Sequence, residues 1–113
     1  MTELDEILEK ADYFDQLRHQ KELLNVNFQD ACILAYQGGI FQLSPEFISG
    51  INIIAQDCAE LYVLDRNQNA ILIKDPTKFI NAAVDTYRAA ITEYGAALSD
   101  LKNKRSAKSI IGI

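Results

Sequence analysis

Few residues in this 113-residue chain have the types and spacing that chemistry requires. Asp65-x-Asn67-x-Asn69 imitates the first ligands of a calcium loop. Such a loop next needs a glycine for its sharp turn and later a bidentate glutamate, but Ala70 and Pro76 stand at those positions. The segment therefore reads as a hairpin turn. Cys32 and Cys58 lie 26 residues apart without a C-x-x-C pair, and His19 is the single imidazole, so no zinc set is assembled. Both thiols sit in apolar stretches and read as small, reduced core residues. His19, flanked by Arg18 and Gln20, has no nucleophile arrangement beside it and reads as a solvated helix-surface side chain. Gly38-Gly39 lacks the Lys-Ser/Thr of a phosphate loop and reads as a break between elements. Asp12 with Asp15, and Glu93 with Asp100, are acids at helical spacing that make a solvated face rather than an acid–base pair. With no catalytic, metal or cofactor-binding residue emerging, the expectation is a non-enzyme without a cofactor.

The elements that would position these residues follow from periodicity. Leu4, Ile7, Leu8, Ala11, Phe14 and Leu17 recur as one face of a helix, which predicts a long amphipathic first helix from Thr2 or Glu3 to about Leu24. Its early acids Glu3, Asp5 and Glu6 complement the positive end of the helix dipole. Asn27 is a cap for a short helix beginning near Phe28, yet Ala31-Cys32-Ile33-Leu34-Ala35-Tyr36 is apolar all round and fits a buried strand equally well. Ser44-Pro45-Glu46 carries an N-cap hydroxyl and a first-turn proline, and Phe47, Ile48, Ile51, Ile54, Ala55 and Cys58 follow at helical spacing. A β-hairpin is expected at about 61–64 and 70–73, and a lone hairpin needs helices or a third strand, such as 40–43, to cover it. Asp75-Pro76 then starts the last helix, expected over about 76–105. The fold class is thus α+β and predominantly α. A single compact domain is expected over 1–108, with a short apolar tail at 109–113.

The strongest pattern lies in that last helix. Residues 81–87, 88–94 and 95–101 repeat the form x-Ala-Ala-apolar-x-x-Tyr/Leu. On a heptad, Val84, Ile91 and Leu98 take position a, while Ile80, Tyr87, Tyr94 and Leu101 take d. Ala83, Ala90 and Ala97 line the flank, where small side chains let another helix approach closely. At 1.5 Å per residue the helix would be about 45 Å long, more than a domain of this size spans, so an overhanging apolar seam wants a partner. The covering element is either the first helix, packed antiparallel, or another subunit or protein.

Charge and composition narrow the remaining classes. Forty-nine per cent hydrophobic and 24% charged residues suit an ordinary globular domain, and the net charge of -5 argues against a body that coats nucleic acid or anionic lipid. The acidic start, the absence of a following apolar segment, and a longest apolar run of six residues point to an intracellular, cytoplasmic protein that is neither secreted nor membrane-spanning. Seven acids against three bases in residues 1–22 contrast with Lys102, Lys104, Arg105 and Lys108 in an acid-free finish. Antiparallel packing would set these ends side by side. Four bases without stacking aromatics make a weak nucleic-acid footprint, which leaves such contact unfavoured.

The small acidic domain with a hairpin, a long alanine-rich helix and a basic, apolar tail resembles the accessory or assembly proteins of large tailed phages. That resemblance implies a virion component or a phage accessory factor. From the residues themselves, the leading expectation is a protein–protein interaction or assembly module that self-associates or docks through its last helix. A small acidic regulator or inhibitor, meeting a basic partner through Glu3, Asp5, Glu6, Glu9 and Asp12, is the alternative.

Overall fold

A computed structural model describes the backbone of residues 3–110 and the side chains of residues 3–104. The order is α1 (Glu3–Ala31), β1 (Ile33–Tyr36), β2 (Gly39–Gln42), α2 (Pro45–Ile54), β3 (Leu61–Leu64), β4 (Ala70–Ile73) and α3 (Pro76–Ile110). The architecture is α+β and mostly helical, with long helices first and last. Several boundaries differ from expectation, and α3 runs on to Ile110 rather than ending near 105. No short helix begins near Phe28, because α1 continues without a break to Ala31. The apolar run beyond it is a strand, which resolves the ambiguity of 31–36 in favour of β structure.

Backbone contacts group the chain into two units, residues 1–28 with 92–113, and residues 29–91. In the second unit, β1 and β2 form an antiparallel hairpin with Tyr36 opposite Gly39. The two-residue loop has φ of 48° at Gln37 and 84° at Gly38. Positive φ at both loop positions gives the turn whose twist matches that of the strands, and glycine takes it without strain. Gly39 has a different role. A Cβ there would stand 2.6 Å from Ile71 Cγ1, so the absence of a side chain lets β2 and β4 approach.

The second hairpin pairs Leu61 with Ile73 and Leu64 with Ala70, at the expected boundaries. Its turn is closed by the Gln68 N–H donating to the Asp65 carbonyl at 3.1 Å, with Gln68 left-handed at φ 66°. Each hairpin is its own two-stranded sheet, so the expected third strand does not extend the second one. The turn of the second hairpin instead meets the edge of β2, where Arg66 N–H donates to the Ile40 carbonyl at 2.7 Å.

Ser44 caps α2, its hydroxyl accepting from the Phe47 N–H at 3.1 Å, and Pro45 opens the first turn. The helix ends at Ile54 rather than running on to Cys58. Asp57, at φ 65°, lies beyond that end. The reading of both cysteines as core residues is therefore corrected: Cys32 is buried, but Cys58 is exposed, because the helical register that would turn it inward stops one turn earlier.

The core of this unit gathers Cys32, Phe41, Leu43, Val63, Ile73, Phe79, Ala83 and Ala90. Phe79 is its aromatic centre, edge-on to Phe41 at 5.0 Å, to Tyr36 at 5.1 Å and to Phe47 at 6.5 Å between ring centroids. Tilted and edge-to-face arrangements suit ring quadrupoles better than a face-to-face sandwich. Asp75 holds the start of α3, its carboxylate accepting from the Lys78 N–H at 3.2 Å, so that Phe79 enters the core one turn into the helix.

The other unit is a helical pair. Tyr13, Leu17, Leu24 and Phe28 of α1 are its half-buried residues, and none of α1 is fully buried. Phe28 stacks on Tyr94 at 4.8 Å with the rings 16° apart, and Asn25 Nδ2 donates to the Tyr94 hydroxyl at 3.3 Å. Further towards the start of α1, Leu17 shares a groove with Leu98 and Leu101, and Tyr13 shares one with Leu101 and Lys104. Decreasing numbers on α1 thus meet increasing numbers on α3, which makes the pair antiparallel.

Candidate interaction surfaces

The heptad of α3 meets different surroundings along its length. In the residues up to Ile91, the alanines and not the bulky seam lie deepest: Ala83 and Ala90 are 1% and 4% exposed, whereas Ile91 is 38% exposed. Ile80, Val84 and Tyr87 are half-buried. The buried line runs through Pro76, Phe79, Ala83 and Ala90, one position before the a and d residues. Alanine at two positions of that line leaves room for neighbouring side chains to close over the helix there. The bulky seam is left on the shoulder of the contact. There Val84, Tyr87 and Ile91, together with Pro45 and Ile48 of α2, line an open groove of about 360 Å³, with Arg88 at its rim.

From Tyr94 onwards, within the helical unit, the seam is met by α1. Tyr94, Ala97, Leu98 and Leu101 are half-buried, and Leu98 and Leu101 face Phe14 and Leu17 across a second groove of about 680 Å³. Arg18, Lys21 and Lys102 also line that groove. Arg18 has an ion pair with Asp15 at 4.0 Å, both side chains being more than two-thirds exposed, a pairing worth little in water. Lys104 is exposed, and the side chains of Arg105 and Lys108 lie outside the described residues; of the expected tail 109–113, the backbone of 109–110 continues α3 and 111–113 lie outside the described residues.

At the start of α1, Leu4, Ile7 and Leu8 are 64%, 57% and 54% exposed. Three consecutive large apolar positions at i, i+3 and i+4 therefore stand in water, flanked by Glu3, Glu6 and Glu9. A second outward apolar pair, Tyr62 and Leu64, lies on the face of β3 opposite Val63, which is buried.

The calcium-like triplet is a structural turn. Asp65 is 5% exposed, and its carboxylate accepts the N–H groups of Asn67 and Asn69 on Oδ1, both at 2.9 Å, and of Ile40 on Oδ2 at 3.1 Å. The donated bonds of Asn69 and Ile40, ahead of that of Asn67, hold this carboxyl below its usual range, and outweigh the opposing effect of burial. Both oxygens are thereby committed to the backbone. His19, Asp12, Asp15, Glu93 and Asp100 are exposed on their helices. Among the described residues, no three of His, Cys, Asp and Glu come together as a possible metal set. No described helix is long and apolar enough to cross a membrane. Burial pushes the Cys32 thiol up, away from the reactive thiolate.

Sequence periodicity found the seam but missed Phe79 and Asp65 as organising residues. Phe79 has a signal in retrospect, since Phe79, Ala83 and Ala90 share one helical face. For Asp65, the turn itself was legible, but its bond to Ile40 has no trace in local pattern. No family model, curated protein or solved structure matches this chain.

Proposed function

We propose that this protein is a non-enzymatic protein–protein interaction or assembly module that docks a helical or apolar segment of its partner on α3. The observation that carries the reading is the displacement of the seam from the buried line. Val84, Tyr87 and Ile91 form a contiguous apolar wall with Pro45 and Ile48, while alanines hold the helix to its own core. A groove of this kind takes side chains at helical spacing, with water released from its apolar walls as the driving force.

A photo-reactive amino acid at Ile91, with one at the exposed Asn52 as control, tests the reading in cells. A discrete cross-linked species from Ile91 that Ile91→Lys suppresses in a second labelled position, Tyr87, is expected. Equal cross-linking from Asn52 and Ile91, or no discrete species from either groove position, overturns it.

A further inference from the structure

The helical unit carries both halves of a complementary pair. One half is the groove between α1 and α3, with Phe14, Leu17, Leu98 and Leu101 as its apolar lining. Its charged members, Arg18, Lys21 and Lys102, are all cations. The other half is the first turns of α1, where Leu4, Ile7 and Leu8 are more than half exposed and the neighbouring Glu3, Glu6 and Glu9 are acidic. An amphipathic helix docks in an apolar groove through anchors at i, i+3 and i+4, and opposite charges at the rim select its orientation.

We propose that a second copy of this chain is the occupant. The two α1 helices would run antiparallel, the acidic start of each lying in the cationic groove of the other. The spacing within α1 supports this register. With Ala11 of one copy opposite Phe14 of the second, Ile7 falls opposite Arg18 and Leu4 opposite Lys21, each beside the aliphatic stem of the cation. The same pairs recur on the other side of the two-fold axis, so one surface patch satisfies itself twice, as a closed dimer requires. Ala11 is small enough to leave room for the Phe14 ring. Glu3 and Glu6 are brought to the side of the contact that carries Arg18 and Lys21. This surface is separate from the groove at Val84, Tyr87 and Ile91, and the proposal does not depend on that one being used.

Sedimentation equilibrium of the full chain, from low micromolar to about 1 mM and at low and high salt, reads the association directly. A dimer is expected, weakened by salt. Ile7→Glu and the pair Lys21→Glu with Lys102→Glu should each weaken dimerisation at least about tenfold. Because all three positions are exposed, the circular dichroism should stay unchanged. Mixing the Lys21→Glu/Lys102→Glu chain with a Glu3→Lys/Glu6→Lys chain should restore association as a heterodimer. A single-chain mass at every concentration overturns the proposal, as does a dimer indifferent to both sets of substitutions. A dimer dissolved by Ile91→Lys and not by Ile7→Glu also overturns it, and leaves the α3 docking surface standing.

Discussion

Asp65 and Ile40, 25 residues apart in sequence, are joined by the Ile40 N–H donating to the Asp65 carboxylate at 3.1 Å. Next to it, the Arg66 N–H donates to the Ile40 carbonyl. Both outward-facing backbone groups of Ile40 are thus satisfied by the turn of the other hairpin. A strand edge left open would be a template for pairing with another chain; here it holds two separate two-stranded sheets in one unit.

The folded chain binds the Asp65 proton less readily than the unfolded chain, since its carboxyl lies below the ordinary value of 3.8. The stability it contributes is present in full above that value and is lost as pH falls through the lowered one. Melting temperature should therefore fall more steeply between about pH 5 and pH 2 for the native chain than for Asp65→Asn, which has no charge to lose. Near neutral pH, Asp65→Asn should melt lower, because the amide NH2 cannot accept from a backbone N–H. Parallel pH-dependent melts that superimpose after a constant offset would count against this role.

Phe79→Ala should cost about 3–5 kcal/mol in denaturant unfolding, the range for deleting a buried aromatic side chain. Three ring contacts are lost at once, to Tyr36 of β1, Phe41 of β2 and Phe47 of α2. A loss below about 1 kcal/mol would mean that the cluster closes over the gap.

Gly39→Ala should destabilise by about 1–3 kcal/mol, as overpacking does in a close-packed interior. Its new Cβ would collide with Ile71 Cγ1. In an Ile71→Ala background that atom is gone, so the same change should cost measurably less. The double-mutant cycle should give a coupling of about 0.5 kcal/mol or more, and additive costs would show that the close approach is unimportant.

Ala90→Leu and Ile91→Lys separate the buried line of α3 from its shoulder. Overpacking at Ala90 should cost about 1–3 kcal/mol. Ile91→Lys, at a position already in partial contact with water, should change stability by only about 0.5 kcal/mol. Chemical denaturation of both variants checks the order, and the reverse order would put the bulky seam in the core.

Cys58 should react with an aromatic disulfide reagent at the rate of an ordinary exposed thiol. Cys32, buried and with its thiol pushed up, should be protected until the unit opens. Two equal fast phases in the native protein would contradict that difference.

Much of the architecture is legible in the sequence. The hairpin boundaries at 61–64 and 70–73, the Ser44-Pro45 and Asp75-Pro76 helix starts, and the presence of a long last helix depend on neighbours within a few residues, so local chemistry determines them. The run 31–36 was not legible, because an apolar segment without periodicity packs equally well as helix or strand. The Gln37-Gly38 turn and the pairing with β2 decided it. The same division holds for the candidate surfaces. Sequence alone determined that α3 carries bulky a and d residues beside a row of alanines, and that α1 begins acidic and apolar. Only the tertiary structure decided which row faces inward. Periodicity specifies that residues share a helical face, but the depth of each depends on how closely other elements approach. In residues 29–91 Ala83 and Ala90 are buried, and Val84, Tyr87 and Ile91 are left on the shoulder in a groove with Pro45 and Ile48 of α2. In the helical unit, α1 covers Tyr94 and half-covers Leu98 and Leu101, while its own Leu4, Ile7 and Leu8 stay in water.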